Sequence, residues 1–143
     1  MALTLEDRNS IQDLLIHYAY AIDIGSTEEE FLDLFTEDAI MTSPVSGVHE
    51  GVEGVKKFRD RHVATRGKVL IRHFITNFIV DGDGGRATLK AYFFEFKTQL
   101  ELIPPQTERK TEFLFCGNYD CVAIKAKGKW KLQRRTVYVD HLS

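Results

Sequence analysis

Near Gly67 the sequence changes its period, and that change limits the folds open to it. Before this point apolar residues recur at helical spacing: Ile11, Leu14, Leu15, Tyr18, Ala19 and Ile22 share one helix face. After it come long runs rich in β-branched and aromatic residues: Val69 to Val80, Arg86 to Glu101, Glu112 to Ile124 and Trp130 to Asp140. Asp81-Gly-Asp-Gly-Gly85 is a hairpin signal, Pro104-Pro105 opens a polar loop, and Lys127-Gly128-Lys129 is a tight turn. Helices first, then a meander of antiparallel strands, give an α+β fold with helices on one face of a curved sheet. That layering leaves a pocket between the helices and the sheet, a common kind of ligand site.

The helical half can be read residue by residue. Thr4-Leu5-Glu6-Asp7 resembles a capping box with Thr4 as the N-cap, and the first helix ends near Gly25. Ser26 or Thr27 caps a shorter second helix. Glu28, Glu29 and Glu30 suit its first turn, and Phe31, Leu34 and Phe35 form its buried stripe. A short strand near Ala39 to Thr42 follows, then a turn around Pro44 and Gly47, then a third helix over residues 51 to 64. No linker, repeat or low-complexity tract interrupts the chain, so residues 1–143 are expected to form one domain.

Composition removes several classes of function. Apolar residues make up 43% of the 143, enough for a core without disulfide or metal staples. Nineteen basic and 21 acidic residues leave a net charge of −2, so no basic nucleic-acid face is indicated. No apolar run reaches the length of a membrane span, and the N-terminus lacks a signal-peptide pattern. Cys116 and Cys121 would point to opposite faces of one strand, which disfavours a local bridge; they read as reduced thiols of a cytoplasmic protein. His17, His49, His62 and His141 form no metal-ligand spacing. No GxSxG, GxGxxG or P-loop pattern occurs, so neither a metal nor a cofactor is expected.

Three residues stand out as carriers of chemistry. Asp23 ends the first helix in an apolar neighbourhood, where it either reaches solvent or faces a pocket and needs a partner. His73 shares strand parity with Val69, Ile71, Ile75 and Ile79. It is either a satisfied core histidine or an imidazole facing a cavity, suited to general-base work near neutral pH. Tyr18 projects from the helix that carries Asp23. Its phenol is either at the rim of the helix stripe or bonded to a substrate oxygen. Arg134 shares parity with Trp130, Leu132, Thr136 and Tyr138, and either makes an edge salt bridge or aims its guanidinium into the cavity.

A set of short segments spans nearly the whole chain: Ile11-Gln-Asp-Leu-Leu-Ile-His-Tyr18, Ala21-Ile-Asp23, Leu34-Phe35-Thr-Glu-Asp38-Ala39 and Gly51-Val-Glu-Gly54. Arg72-His73-Phe74 with Asn77, Gly117-Asn-Tyr119-Asp120 and Gly128-Lys-Trp130-Lys131 complete it. In order and spacing the chain resembles the SnoaL-like branch of the NTF2-like (cystatin-like, α+β cone) superfamily. That branch includes scytalone dehydratase, bile-acid 7α-dehydratase and hexachlorocyclohexane dehydrochlorinase.

The resemblance implies an Asp–His dyad, with Asp23 and His73 at the matching positions and Tyr18 at a matching tyrosine. It also implies a further polar group on the next strand, where this chain is expected to place Phe96, within one residue. A phenylalanine there cannot help an oxygen leave, so halide elimination or proton transfer beside a carbonyl is expected rather than plain dehydration. The dehydrochlorinase's last-strand arginine has only Lys131 near it, with Arg134 beyond.

The expected protein is thus a small lyase- or isomerase-like enzyme acting on a hydrophobic cyclic substrate. His73 would abstract the proton, Asp23 would orient it, and Tyr18 would bond a substrate oxygen. Phe74, Phe93, Phe94 and Phe96, where they face inward, would supply apolar walls. Homo-oligomerisation through the sheet, as a dimer or trimer, is implied as well. The alternative is a non-catalytic ligand-binding protein or an accessory subunit like the small subunit of ring-hydroxylating dioxygenases.

Overall fold

The structure, a computed structural model, describes residues 1–142. Helix α1 spans Leu5–Asp23 and starts at the expected capping box: the Thr4 hydroxyl accepts from the Asp7 amide, and the Asp7 carboxylate accepts from the Thr4 amide. Asp7 also accepts from the Trp130 indole at 2.9 Å and from Lys125 at 3.2 Å, pinning the start of α1 to the sheet. The indole bond, with the backbone bond to Thr4, holds the Asp7 carboxyl well below the usual carboxylate range. Helix α2, Glu28–Leu32, is capped by Thr27. It is shorter than its apolar stripe implied, because Phe35 already opens a strand.

The sheet has six strands in the order β2-β1-β6-β5-β4-β3. These are β1 (Phe35–Ser43), β2 (Gly47–Glu50), β3 (Val69–Gly82), β4 (Arg86–Gln99), β5 (Thr111–Ala126) and β6 (Lys129–Val139). Helix α3, Gly51–Thr65, lies between β2 and β3 in the chain. Strands β3 to β6 form the expected antiparallel meander. Strand β1 is longer than expected and joins β6 in parallel, while β2 occupies the stretch read as a turn. The sheet is curved and does not close, and the helices pack on its inner face. The architecture is the α+β, cystatin-like arrangement expected of the sequence. Among the described residues no helix is long and apolar enough to cross a membrane.

The core lies between the inner face and the helices. Ile11, Leu15, Met41, Leu89, Ala123 and Leu132 are fully buried there. Burying the larger of these, Ile11, Leu15, Met41, Leu89 and Leu132, supplies about 1.5–3 kcal/mol each relative to leaving them exposed. Cys121 belongs to this core, whereas Cys116 on the same strand bonds outward to Asp140.

Three bulges interrupt the strict alternation of the long strands, and they decide which residues reach the core. Strand β3 shifts register between Thr76 and Ile79, where Asn77 has φ 57°, a left-handed conformation that asparagine tolerates better than most residues. His73 and Val80 therefore both face inward although their parities differ, and Ile79 is turned out. The β4–β5 ladder shifts after Glu95, and the β5–β6 ladder shifts so that Val122 pairs with Arg134 and Ala123 with Leu132.

Candidate active site

The end of α1 lies against β3, which is an edge of the sheet. An edge strand leaves amide groups without ladder partners. Asp23 meets one of them: its Oδ2 accepts from the His73 backbone amide at 2.7 Å, and its Oδ1 lies 2.5 Å from Nδ1 of the same residue's ring. Two bonds to one residue fix both the ring's position and its rotamer. A carboxylate at a helix C-terminus is electrostatically unfavourable, and α1 has no basic residue in its last turn. Arg66 compensates by donating from Nη2 to the Ala21 carbonyl at 2.7 Å.

The other ring nitrogen is also engaged. Nε2 of His73 lies 3.0 Å from Oε1 of Glu95, the residue directly opposite it on β4. The side chains of His73, Asp23 and Glu95 are only 6%, 8% and 17% exposed. Burial alone would lower the His73 pKa. The hydrogen bonds and charges of Asp23 and Glu95 outweigh it and push the value up to about 9. At neutral pH His73 is therefore an imidazolium held between two carboxylates, and no ring nitrogen is free to act as a base in this arrangement.

This group forms one wall of a cavity of about 220 Å³. Ile71, Phe93, Phe115, Val137 and Val139 make the lining mostly apolar, and Ser43 and Ser46 stand at its edge. Tyr18 lines it too, with its ring 6.4 Å from that of His73. Burial pushes the Tyr18 pKa up to about 12, so the phenol stays protonated. It accepts a hydrogen bond from Nη1 of Arg135 at 2.9 Å, which leaves its own O–H available to an oxygen in the cavity. His62 completes the polar lining. Its Nδ1 bonds the Phe58 carbonyl at 2.9 Å, and burial lowers its pKa.

The structure thus brings Asp23, His73 and Tyr18 together and corrects the other expected positions. Phe74, Phe94 and Phe96 do not line the cavity. They lie on the outer face of the sheet, where Phe74 stacks on Phe94 at 5.2 Å and Phe96 meets both edge-on. Phe74 is 45% exposed. The inward residue next to Phe96 is Glu95, so the next-strand polar position is filled by a carboxylate and not by a phenylalanine. Arg134 is exposed, and Arg135 takes the inward place because the β6 bulge adds one residue after Leu132.

Sequence parity could have found Glu95, which shares its side of β4 with Ala91 and Phe93 and is the one charged residue from Ala91 to Phe96. Arg135 and His62 carried no such signal. Among the described residues no group of three or more His, Cys, Asp or Glu side chains is placed to hold a metal ion.

A family model described as a SnoaL-like domain matches residues 3–136. No curated protein matches the chain. Among solved structures, a cystatin-like protein of unknown function from Nostoc punctiforme PCC 73102 is 23% identical. The alignment covers 99% of this chain and 96% of that one, with a TM-score of 0.77. A protein provisionally assigned as an aromatic ring hydroxylase from Novosphingobium aromaticivorans is 29% identical over 96% and 92% of the two chains, also at 0.77. One provisionally assigned as a scytalone dehydratase from the same organism is 19% identical over 97% and 87%, at 0.76.

Proposed function

From the premise that the chain belongs to the SnoaL-like family, we propose that it is a small acid–base enzyme. It would act on a hydrophobic single-ring substrate by elimination or isomerisation. Family membership alone supports either a small enzyme or a small-molecule-binding protein. The observation that favours chemistry is the imidazolium of His73, held between Asp23 and Glu95 at the wall of an apolar cavity. Three buried ionisable groups are costly in a site that merely encloses an apolar ligand.

In this reading Glu95 is the proton acceptor, because His73 has no free nitrogen and Glu95 faces the cavity. Its carboxylate takes a proton from a substrate carbon. The C–H electron pair moves towards an adjacent carbonyl oxygen or expels a β-substituent. His73 orients Glu95 and holds a positive charge beside the reacting centre, while Asp23 fixes His73. The Tyr18 hydroxyl donates to the substrate oxygen that gains charge. No step requires a cofactor.

The test uses single-ring compounds bearing an acidic C–H beside a carbonyl, or a β-leaving group, in deuterated buffer. NMR follows deuterium uptake and leaving-group release. Wild type should accelerate one class, and Glu95→Gln should lose about 10²–10⁴-fold of that rate. No acceleration by wild type with any compound, together with tight binding of several, would replace this reading with the ligand-binding one.

The outer aromatic cluster supports a second proposal, association of two copies through the sheet. Phe74, Tyr92, Phe94, Phe113 and Tyr138 leave a broad apolar face in water. Sedimentation equilibrium should report more than one copy, and Phe94→Lys should shift it to the monomer. A wild-type monomer at all concentrations would remove the proposal.

A further inference from the structure

Arg135 is 3% exposed and lines the cavity. Among the described residues its one hydrogen bond is the donation from Nη1 to Tyr18. The atoms Nε and Nη2 are buried and have no partner. Three rings surround the guanidinium, with Cζ at 5.3 Å from the centroid of Tyr18, 5.2 Å from Phe58 and 5.9 Å from Tyr119. Such rings satisfy the faces of a guanidinium but not its edge. A buried charge with an idle donor edge is retained only against a cost, and such orphaned donors in a native structure point to a missing partner.

The idle atoms are not an arbitrary pair. Nε–H and one Nη2–H of arginine lie parallel in the plane of the group. They form the two-pronged edge that matches both oxygens of a carboxylate. The cavity that Arg135 lines offers a mostly apolar space, and Glu95 and His73 line it as well. Tyr18 stands between the two ends: its ring is 6.4 Å from that of His73, and its hydroxyl is bonded to Arg135.

We propose that the substrate is a carboxylate with a small apolar ring, held by the Nε–Nη2 edge of Arg135 while its carbon skeleton is presented to Glu95. This rests on the acid–base reading of the cavity for the second half of its statement, but the binding half stands by itself. Arg135 is then a catalytic-site residue that touches substrate without exchanging a proton. Discrimination follows directly, because an amide or ester of the same shape offers one acceptor and no charge to a buried cation that needs two acceptors and an anion.

The probes are benzoate, phenylacetate and cyclohexanecarboxylate, each paired with its neutral amide. Binding is read by calorimetry and by the ¹H–¹⁵N resonance of the Arg135 side-chain Nε–H in the wild-type protein, so no variant has to fold for the first result. At least one acid should bind and move that resonance, and its amide should bind at least about tenfold more weakly. Arg135→Lys, which keeps the charge and loses the fork, should weaken the acid by about tenfold or more and shrink the acid-to-amide preference.

Failure of all three acids to move the resonance overturns the proposal. So does equal binding of acids and amides, or an equal response to chloride or phosphate, which would make the edge a non-selective anion site. The acid–base reading fails separately: Glu95→Gln would then bind the acids as wild type does while turnover of every compound stays at the buffer rate in both proteins.

Discussion

Replacing Glu95 by Gln removes one charge from the His73 site while keeping an oxygen that can accept from Nε2. In the native protein the His73 pKa lies near 9 against an ordinary 6.5, a rise produced by two carboxylates against an opposing burial effect. Asp23 is the closer of the two and bonds the residue twice, at 2.5 and 2.7 Å, whereas Glu95 is at 3.0 Å. Loss of the Glu95 charge should therefore lower the His73 pKa by about one to two units.

The sign of the stability effect follows from the raised value. A histidine that binds its proton more tightly when folded stabilises the protein fully below the unfolded pKa, and that stability disappears as pH rises through the folded pKa. Between about pH 7 and pH 9.5 the wild type should lose about 2.4 kcal/mol from this group, and Glu95→Gln about 0.3–1.2 kcal/mol. Urea unfolding at several pH values gives the difference, in which groups common to both proteins cancel. An NMR titration of the His73 ring gives the midpoint directly. A midpoint that stays near 9 in the variant, or identical pH slopes in the two proteins, would refute the assignment of Glu95 as the second partner.

Other expected outcomes follow from the same structure. If turnover is found, its rate should fall as pH rises through about 9, because His73 loses the charge that orients Glu95; a pH–rate profile flat across that range would contradict this. Tyr18→Phe should destabilise the fold by about 1–3 kcal/mol, measured by urea unfolding, since Arg135 loses its one hydrogen-bond partner among the described residues. Gly117→Ala should fail to give a native-like heteronuclear NMR spectrum. A Cβ on Gly117 would lie 1.8 Å from the Tyr138 carbonyl oxygen, a backbone atom that cannot yield without breaking the β5–β6 ladder. Asp7→Asn should lower Tm and shift Trp130 fluorescence, and the difference in Tm from wild type should shrink as pH falls and the wild-type carboxyl is protonated.

Local chemistry determined much of this protein before any tertiary contact formed. The capping box at Thr4, the helical spacing from Ile11 to Ile22 and the Gly-rich turn after Asp81 are short-range signals, and each is realised where the residues alone place it. The same signals made Asp23 and His73 conspicuous as polar groups among apolar neighbours, although only the packed end of α1 could bring them within 2.5 Å. The direction of side chains along the long strands was not legible. Parity is a local rule that one extra residue inverts, and whether a bulge forms depends on how two strands match over their full length. The bulge after Leu132 on β6 replaced Arg134 by Arg135, whereas β4 alternates without a break and turns Glu95 inward with Ala91 and Phe93. The pairing of Asp23 with His73 and the inward turn of Glu95 thus follow from local patterns in the sequence, whereas the guanidinium of Arg135 was chosen by the register of the assembled sheet.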